Sequence, residues 1–163
     1  MKPIYQSLIV PFLLLQGSLL AHCQVPCGIY NDAARIIQIQ EDFSTIQKAM
    51  TKIKELSQQQ DATSMNQLTR WIMTKEDHAS KIQKVVSDYF LTQRIKAKNE
   101  GSEFDTYVKQ PTTLHQILVS AMKCKQTIEL GQVDEGLHQI KTFIDLYFDT
   151  HGKDHIKQMS ESK

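Results

Sequence analysis

Nowhere in its 163 residues does this chain carry an apolar run of about 20 residues, the length a membrane-spanning helix needs. It also lacks a basic cluster suited to nucleic acid, since 19 Lys and Arg are interspersed with 18 Asp and Glu. Cysteine is scarce and odd in number, at three, which argues against a disulfide framework. No stretch alternates apolar and polar residues with period two, so strands are not expected. A single Glu-x-x-His, Glu135 to His138, is present. A ferritin-like di-iron bundle would need that motif twice, with further glutamates on the other helices.

The chain opens with what reads as a secretory leader. Lys2 supplies a positive start, Ile9 to Leu15 form a short apolar region, and Ala21 is a small residue at the expected cut. Residues 1–21 are therefore expected to be removed, with export to the periplasm or the cell exterior, and residues 22–163 to form one domain. Removing them takes away one lysine and no acid, which leaves 18 basic and 18 acidic side chains. A remainder of 142 residues is large enough for one substantial core.

That remainder reads as an all-α, antiparallel four-helix bundle. Ile36, Ile39, Phe43, Ile46, Met50 and Ile53 alternate steps of three and four, the seam of a helix packed nearly parallel to its neighbours. Asn31 or Asp32 can cap its start. A second helix is expected to open at Ser64 with the capping box Ser64-Met65-Asn66-Gln67 and to run to Phe90. Residues 97–110 read as a long loop, and Pro111 as the first residue of a third helix that Gly131 ends. A fourth is expected from about Val133 to Phe148, with Gly152 as its stop. Trp71, Phe43 and Phe90 are expected in the core, Cys124 as a buried thiol, and His78, beside Glu76 and Asp77, on a solvated face.

The densest chemistry lies just after the leader, in His22-Cys23-Gln24-Val25-Pro26-Cys27-Gly28-Ile29-Tyr30. Once Ala21 is cut away, His22 carries a free α-amine and an imidazole beside the Cys23 thiol, with the Cys27 thiol four residues on. A Cys23–Cys27 disulfide is one reading in an exported protein. Zinc is another, although it prefers four closed ligands and only His22, Cys23 and Cys27 cluster here. A square plane of amine, backbone nitrogen and two thiolates suits Ni(II) or Cu(II). Pro26 fixes the turn and Gly28 permits close backbone approach. The positive end of the first helix favours thiolate over thiol.

His22 to Tyr30 resembles nickel superoxide dismutase, whose mature chains open His-Cys-x-x-Pro-Cys-Gly-x-Tyr; every fixed position is matched. Ser87-Asp88-Tyr89-Phe90 and Leu114-His115-Gln116 are further points of likeness. The resemblance implies a right-handed four-helix subunit, a homohexamer, a leader peptidase as partner, and one nickel ion (Ni2+/Ni3+) per chain. It implies that His22, Cys23 and Cys27 hold the metal, with the His22 imidazole axial in the oxidised state. It also implies that Tyr30 and Tyr89 line the pocket that superoxide enters. Three positions depart from the pattern. Gln24 stands where some members carry Asp, Ile37 lies near the place of a glutamate that orients the histidine, and Thr74, beside Lys75, takes the place of its arginine partner. Arg35 and Lys96 are the cations that sequence position offers to an anionic substrate. The expected activity is conversion of superoxide to oxygen and hydrogen peroxide. The competing reading is a secreted four-helix binding or metal-delivery protein with a Cys23–Cys27 disulfide.

Overall fold

Every apolar residue of the 36-39-43-46-50-53 seam is buried, Phe43, Ile36 and Ile46 completely. That seam drives the architecture, because fully burying one such side chain contributes about 1.5–3 kcal/mol. A computed structural model describes residues 30–161. Its elements are α1 (Asp32–Leu56), α2 (Ala62–Lys84), a π-helical continuation of α2 (Val85–Arg94), α3 (Phe104–Gln126), α4 (Gly131–Tyr147) and α5 (Thr150–Glu161). There is no strand among the described residues, and none of these helices is long and apolar enough to cross a membrane.

α1 packs on α2 and α4, and α3 packs on the same two helices, so the four long helices close a ring around one core. Short connections make neighbours antiparallel. The core joins Phe43 of α1, Ile82 of α2, Phe90 of the π segment, Leu114 and Ile117 of α3, and Ile140 and Phe143 of α4. Cys124 is buried among them, as expected. α5 was not anticipated. It lies against α1, buries Ile156, and starts under the cap of Asp149, whose Oδ1 accepts from Gly152 N at 2.8 Å. Gly152 thus sits in the first turn of a fifth helix rather than stopping the fourth.

Helix starts differ from the sequence reading at α2, α3 and α4. Asn31 Oδ1 accepts from Ala34 N at 3.0 Å and starts α1, as expected. α2 begins earlier than expected, because Asp61 accepts from Ser64 N at 3.0 Å and is the true cap. The Ser64 hydroxyl turns back to donate to Asp61 and Gln59. α3 begins seven residues before Pro111, after Gly101 turns the chain with φ of 100° and accepts from Phe104 N. Pro111 is interior and denies the Tyr107 carbonyl its usual donor. Gly131 opens α4 instead of ending α3.

Two buried polar contacts fasten α2 to its neighbours. Lys75, only 4% exposed, donates to the Cys124 carbonyl at 2.8 Å and the Lys125 carbonyl at 2.5 Å. Those acceptors are orphan carbonyls at the negative end of α3, where a cation is favoured. His78 is not on a solvated face: its Nδ1 lies 2.6 Å from Oδ1 of the buried Asp42 on α1. Trp71 is half-buried rather than core, with the Lys48 ammonium 5.8 Å from its ring centre. Phe43 and Phe90 are fully buried.

Candidate functional site

Tyr30 and Asn31 lead directly into the positive end of α1. The expected metal ligands His22, Cys23 and Cys27 lie outside the described residues. Among the described residues no three His, Cys, Asp or Glu side chains gather into a metal site. At the start of α1, however, a dense cluster is built from α1, the π segment and α4.

Its centre is Asp32, the first residue of α1. The Asp32 carboxylate accepts from Tyr89 Oη at 2.6 Å and from Tyr147 Oη at 2.8 Å. Arg94 grips both its oxygens, through Nε at 2.8 Å and Nη2 at 2.7 Å. This is the fork geometry that guanidinium and carboxylate share. Burial disfavours the charged carboxyl, but the bonds from Arg94, Tyr89 and Tyr147 and the charge of Arg94 outweigh it, so Asp32 stays below the usual carboxylate range. Burial and then the hydrogen bond to Asp32 push both tyrosine hydroxyls well above their ordinary value. Each phenol is held protonated.

Around this centre the tyrosines are ordered by their faces. Tyr30 and Tyr89, the two tyrosines the sequence singles out, meet edge to face with ring centres 5.8 Å apart. The Arg94 guanidinium lies 4.4 Å from the Tyr30 ring centre and the Arg35 guanidinium 5.4 Å from that of Tyr89. Tyr89 continues into Phe90 at 5.1 Å, and Phe90 into Phe143 at 5.2 Å. An aromatic file therefore runs from Tyr30 to the centre of the bundle. Tyr30 remains 39% exposed while Tyr89 is 3% exposed.

Next to Tyr89 a cavity of about 230 Å³ opens between α1 and α2, lined by Arg35, Lys81, Lys84, Asp88 and Tyr89 among others. Arg35 thus lines the cavity beside Tyr89, whereas Lys96 is exposed in the segment after Arg94. Lys75 is spent on the end of α3, and the Thr74 hydroxyl donates to the Arg70 carbonyl at 2.9 Å. Ile37 is buried.

Sequence reasoning missed Asp32, Arg94 and Tyr147 as members of the site. Asp32 was read only as a cap. Arg94 stands five residues after Tyr89, a spacing that an α-helix places on different faces and a π-helix brings together. The π turn is marked by the Thr92 hydroxyl donating to the Ser87 carbonyl and Gln93 Nε2 to the Asp88 carbonyl, both across five residues.

Comparison with known proteins returned one finding. The sequence pattern of nickel-containing superoxide dismutase matches residues 18–151, a span that includes residues 22–30, the four long helices and the Asp32 cluster. Searches of curated proteins and of solved structures returned no match. With more than three quarters of its length matched, and with an all-α bundle, this chain belongs to the nickel-containing superoxide dismutase family: an oxidoreductase that uses nickel to convert superoxide to oxygen and hydrogen peroxide.

Proposed function

We propose that the nickel is held by the first residues of a processed chain, His22 through its α-amine and imidazole, Cys23 through its backbone nitrogen and thiolate, and Cys27 through its thiolate. The donor chemistry fits: two soft thiolates with nitrogen donors suit a late divalent metal that must change oxidation state. Bound there, nickel supplies the one-electron chemistry by which two superoxide anions and two protons become one O2 and one H2O2.

The chain's own residues do the rest. Leader removal at Ala21–His22 turns an amide nitrogen into a free amine, so the cut made by a leader peptidase switches on metal binding. Arg35, Lys81 and Lys84 surround the cavity beside Tyr89 and attract an anionic substrate. Tyr89 holds its phenol proton against Asp32, and Tyr30 reaches toward solvent at the base of the hook. The observation that carries this reading is the family match running through residues 22–30 together with the Tyr30–Tyr89 contact. N-terminal sequencing, nickel analysis and superoxide decay on one active sample test it. Active protein that begins at Ala21 or earlier, or nickel retained by Cys27→Ser, would overturn it.

The same reading takes the protein as exported and as a homohexamer. Support for assembly comes from α2, which leaves Met65, Ile72 and Met73 exposed by 41–60% on a helix face that a neighbouring subunit can cover. Sedimentation of processed, nickel-loaded protein measures it. A monomer at micromolar concentration would refute the hexamer.

A further inference from the structure

We infer that Asp32 and Arg94 are a positioning pair for the dismutation reaction, fixing the Tyr30–Tyr89 pair so that Tyr30 is the phenol that faces the substrate. The inference rests on the hook reading for where the substrate reacts and on the described residues for everything else.

Hydrogen-bond inventory leads to it. A phenol has one proton to donate. Tyr89 gives its proton to Asp32 Oδ1 at 2.6 Å, so it has none for an incoming anion. Tyr147 is committed in the same way to Oδ2. Among the described residues the Tyr30 hydroxyl has no hydrogen-bond partner, and its ring is exposed. Arg94 touches both sides of the arrangement: it binds the carboxylate that fixes Tyr89 and stands over Tyr30, 4.4 Å from its ring centre. Removing Arg94 would leave Asp32 as a buried anion beside the path of an anionic substrate. Removing the Asp32 charge would release Arg94 and both phenols at once.

Charge attraction and positioning give opposite signs for one variant. Asp32→Asn makes the site more positive. If Arg94 acted only by attracting superoxide, Asp32→Asn would speed turnover and Arg94→Gln would slow it. Positioning requires both to slow it, by about tenfold per bound nickel, since small misplacements of a reacting group cost rate steeply. The double variant should be no slower than the slower single variant, because the two side chains act as one unit. Arg94→Lys keeps the charge without the fork and should recover only part of the loss.

A second measurement needs no nickel. Phenolate absorbance of the metal-free protein, followed with rising pH, reports the tyrosines directly. In Asp32→Asn the Tyr89 and Tyr147 hydroxyls should ionise at lower pH than in the wild type, before the far-ultraviolet signal of the helices is lost. Faster or unchanged turnover in Asp32→Asn, an unchanged phenol titration, or loss of nickel from Arg94→Gln would overturn the positioning pair. Failure of the hook reading would instead show in the wild type, as processed protein that binds no nickel, and the phenol titration would still decide the role of Asp32.

Discussion

Gly136→Ala is a demanding test of the packing, because local and tertiary effects oppose each other. Gly136 is buried on α4 where that helix crosses Phe43 of α1. A Cβ placed there would stand 2.3 Å from Phe43 Cζ, 2.5 Å from Cε1 and 3.0 Å from Cε2. Phe43 is fully buried in the central cluster, so its ring can retreat only by displacing other core side chains. Overpacking by a methylene costs about 1–3 kcal/mol, and contacts this short belong at the upper end. Alanine gains about 1 kcal/mol over glycine in a helix interior. The difference is a net loss of about 2 kcal/mol. For a chain of this size that lowers Tm by roughly 6–8 °C. Urea unfolding of metal-free protein, followed at 222 nm, measures it. In a Phe43→Leu background the ring is gone and the same substitution should become neutral or stabilising, a coupling of about 2 kcal/mol. A Tm for Gly136→Ala equal to or above that of the wild type would refute the packing described between α1 and α4.

Three further predictions follow from single side chains. Burial raises the Asp42 carboxyl above its ordinary value despite the opposing bond and charge of His78, and the buried Asp42 Oδ2 has no partner among the described residues; the folded state therefore binds this proton more tightly than the unfolded chain, and the penalty grows as pH rises above about 4. Asp42→Asn should stabilise the protein by about 1 kcal/mol at pH 7, with the gain gone at pH 4, as read by urea unfolding; a gain that is equal at both pH values would contradict the assignment. Burial pushes the Cys124 thiol up to about 11, against the lowering influence of Lys75, so at pH 8 Cys124, read by peptide mapping, should resist iodoacetamide in the folded protein and react at the rate of a free thiol in the urea-unfolded chain. Cys27→Ser should lose nickel and turnover while keeping its helical circular dichroism, because α1 to α4 and the π segment bury a shared core among the described residues.

Periodicity exposed the parts of this fold that repeat, and it failed where a single contact decides. The α1 seam and the burial of Phe90, Leu114 and Ile140 follow from three-and-four spacing, and all are in the core. Ser64 was mistaken for a cap because Asp61, three residues earlier, lies outside any apolar pattern. Pro111 usually marks a helix start, yet here two turns of helix precede it. His78 carries acidic neighbours in sequence, but helix geometry turns it instead toward Asp42, 36 residues away. At the candidate site, motifs point to Tyr30 and Tyr89, whose rings meet, whereas Arg94 and Tyr147 reach Asp32 across 62 and 115 residues. No local signal encodes such partners.

The ten-residue π segment also sets how this gene can change length. Deleting one codon between Val85 and Arg94 would let the chain wind as an ordinary α-helix with no break in its backbone bonds. Everything after the deletion would turn by about 100° relative to what precedes it. Phe90 and Arg94 could not then both keep their present directions, one into the core and one onto Asp32. Such a shortened chain would be a better helix and a worse enzyme. Among descendants of this sequence, insertions and deletions should accumulate in the exposed turn around Gly101 and be purged from the ten residues that carry Tyr89 and Arg94.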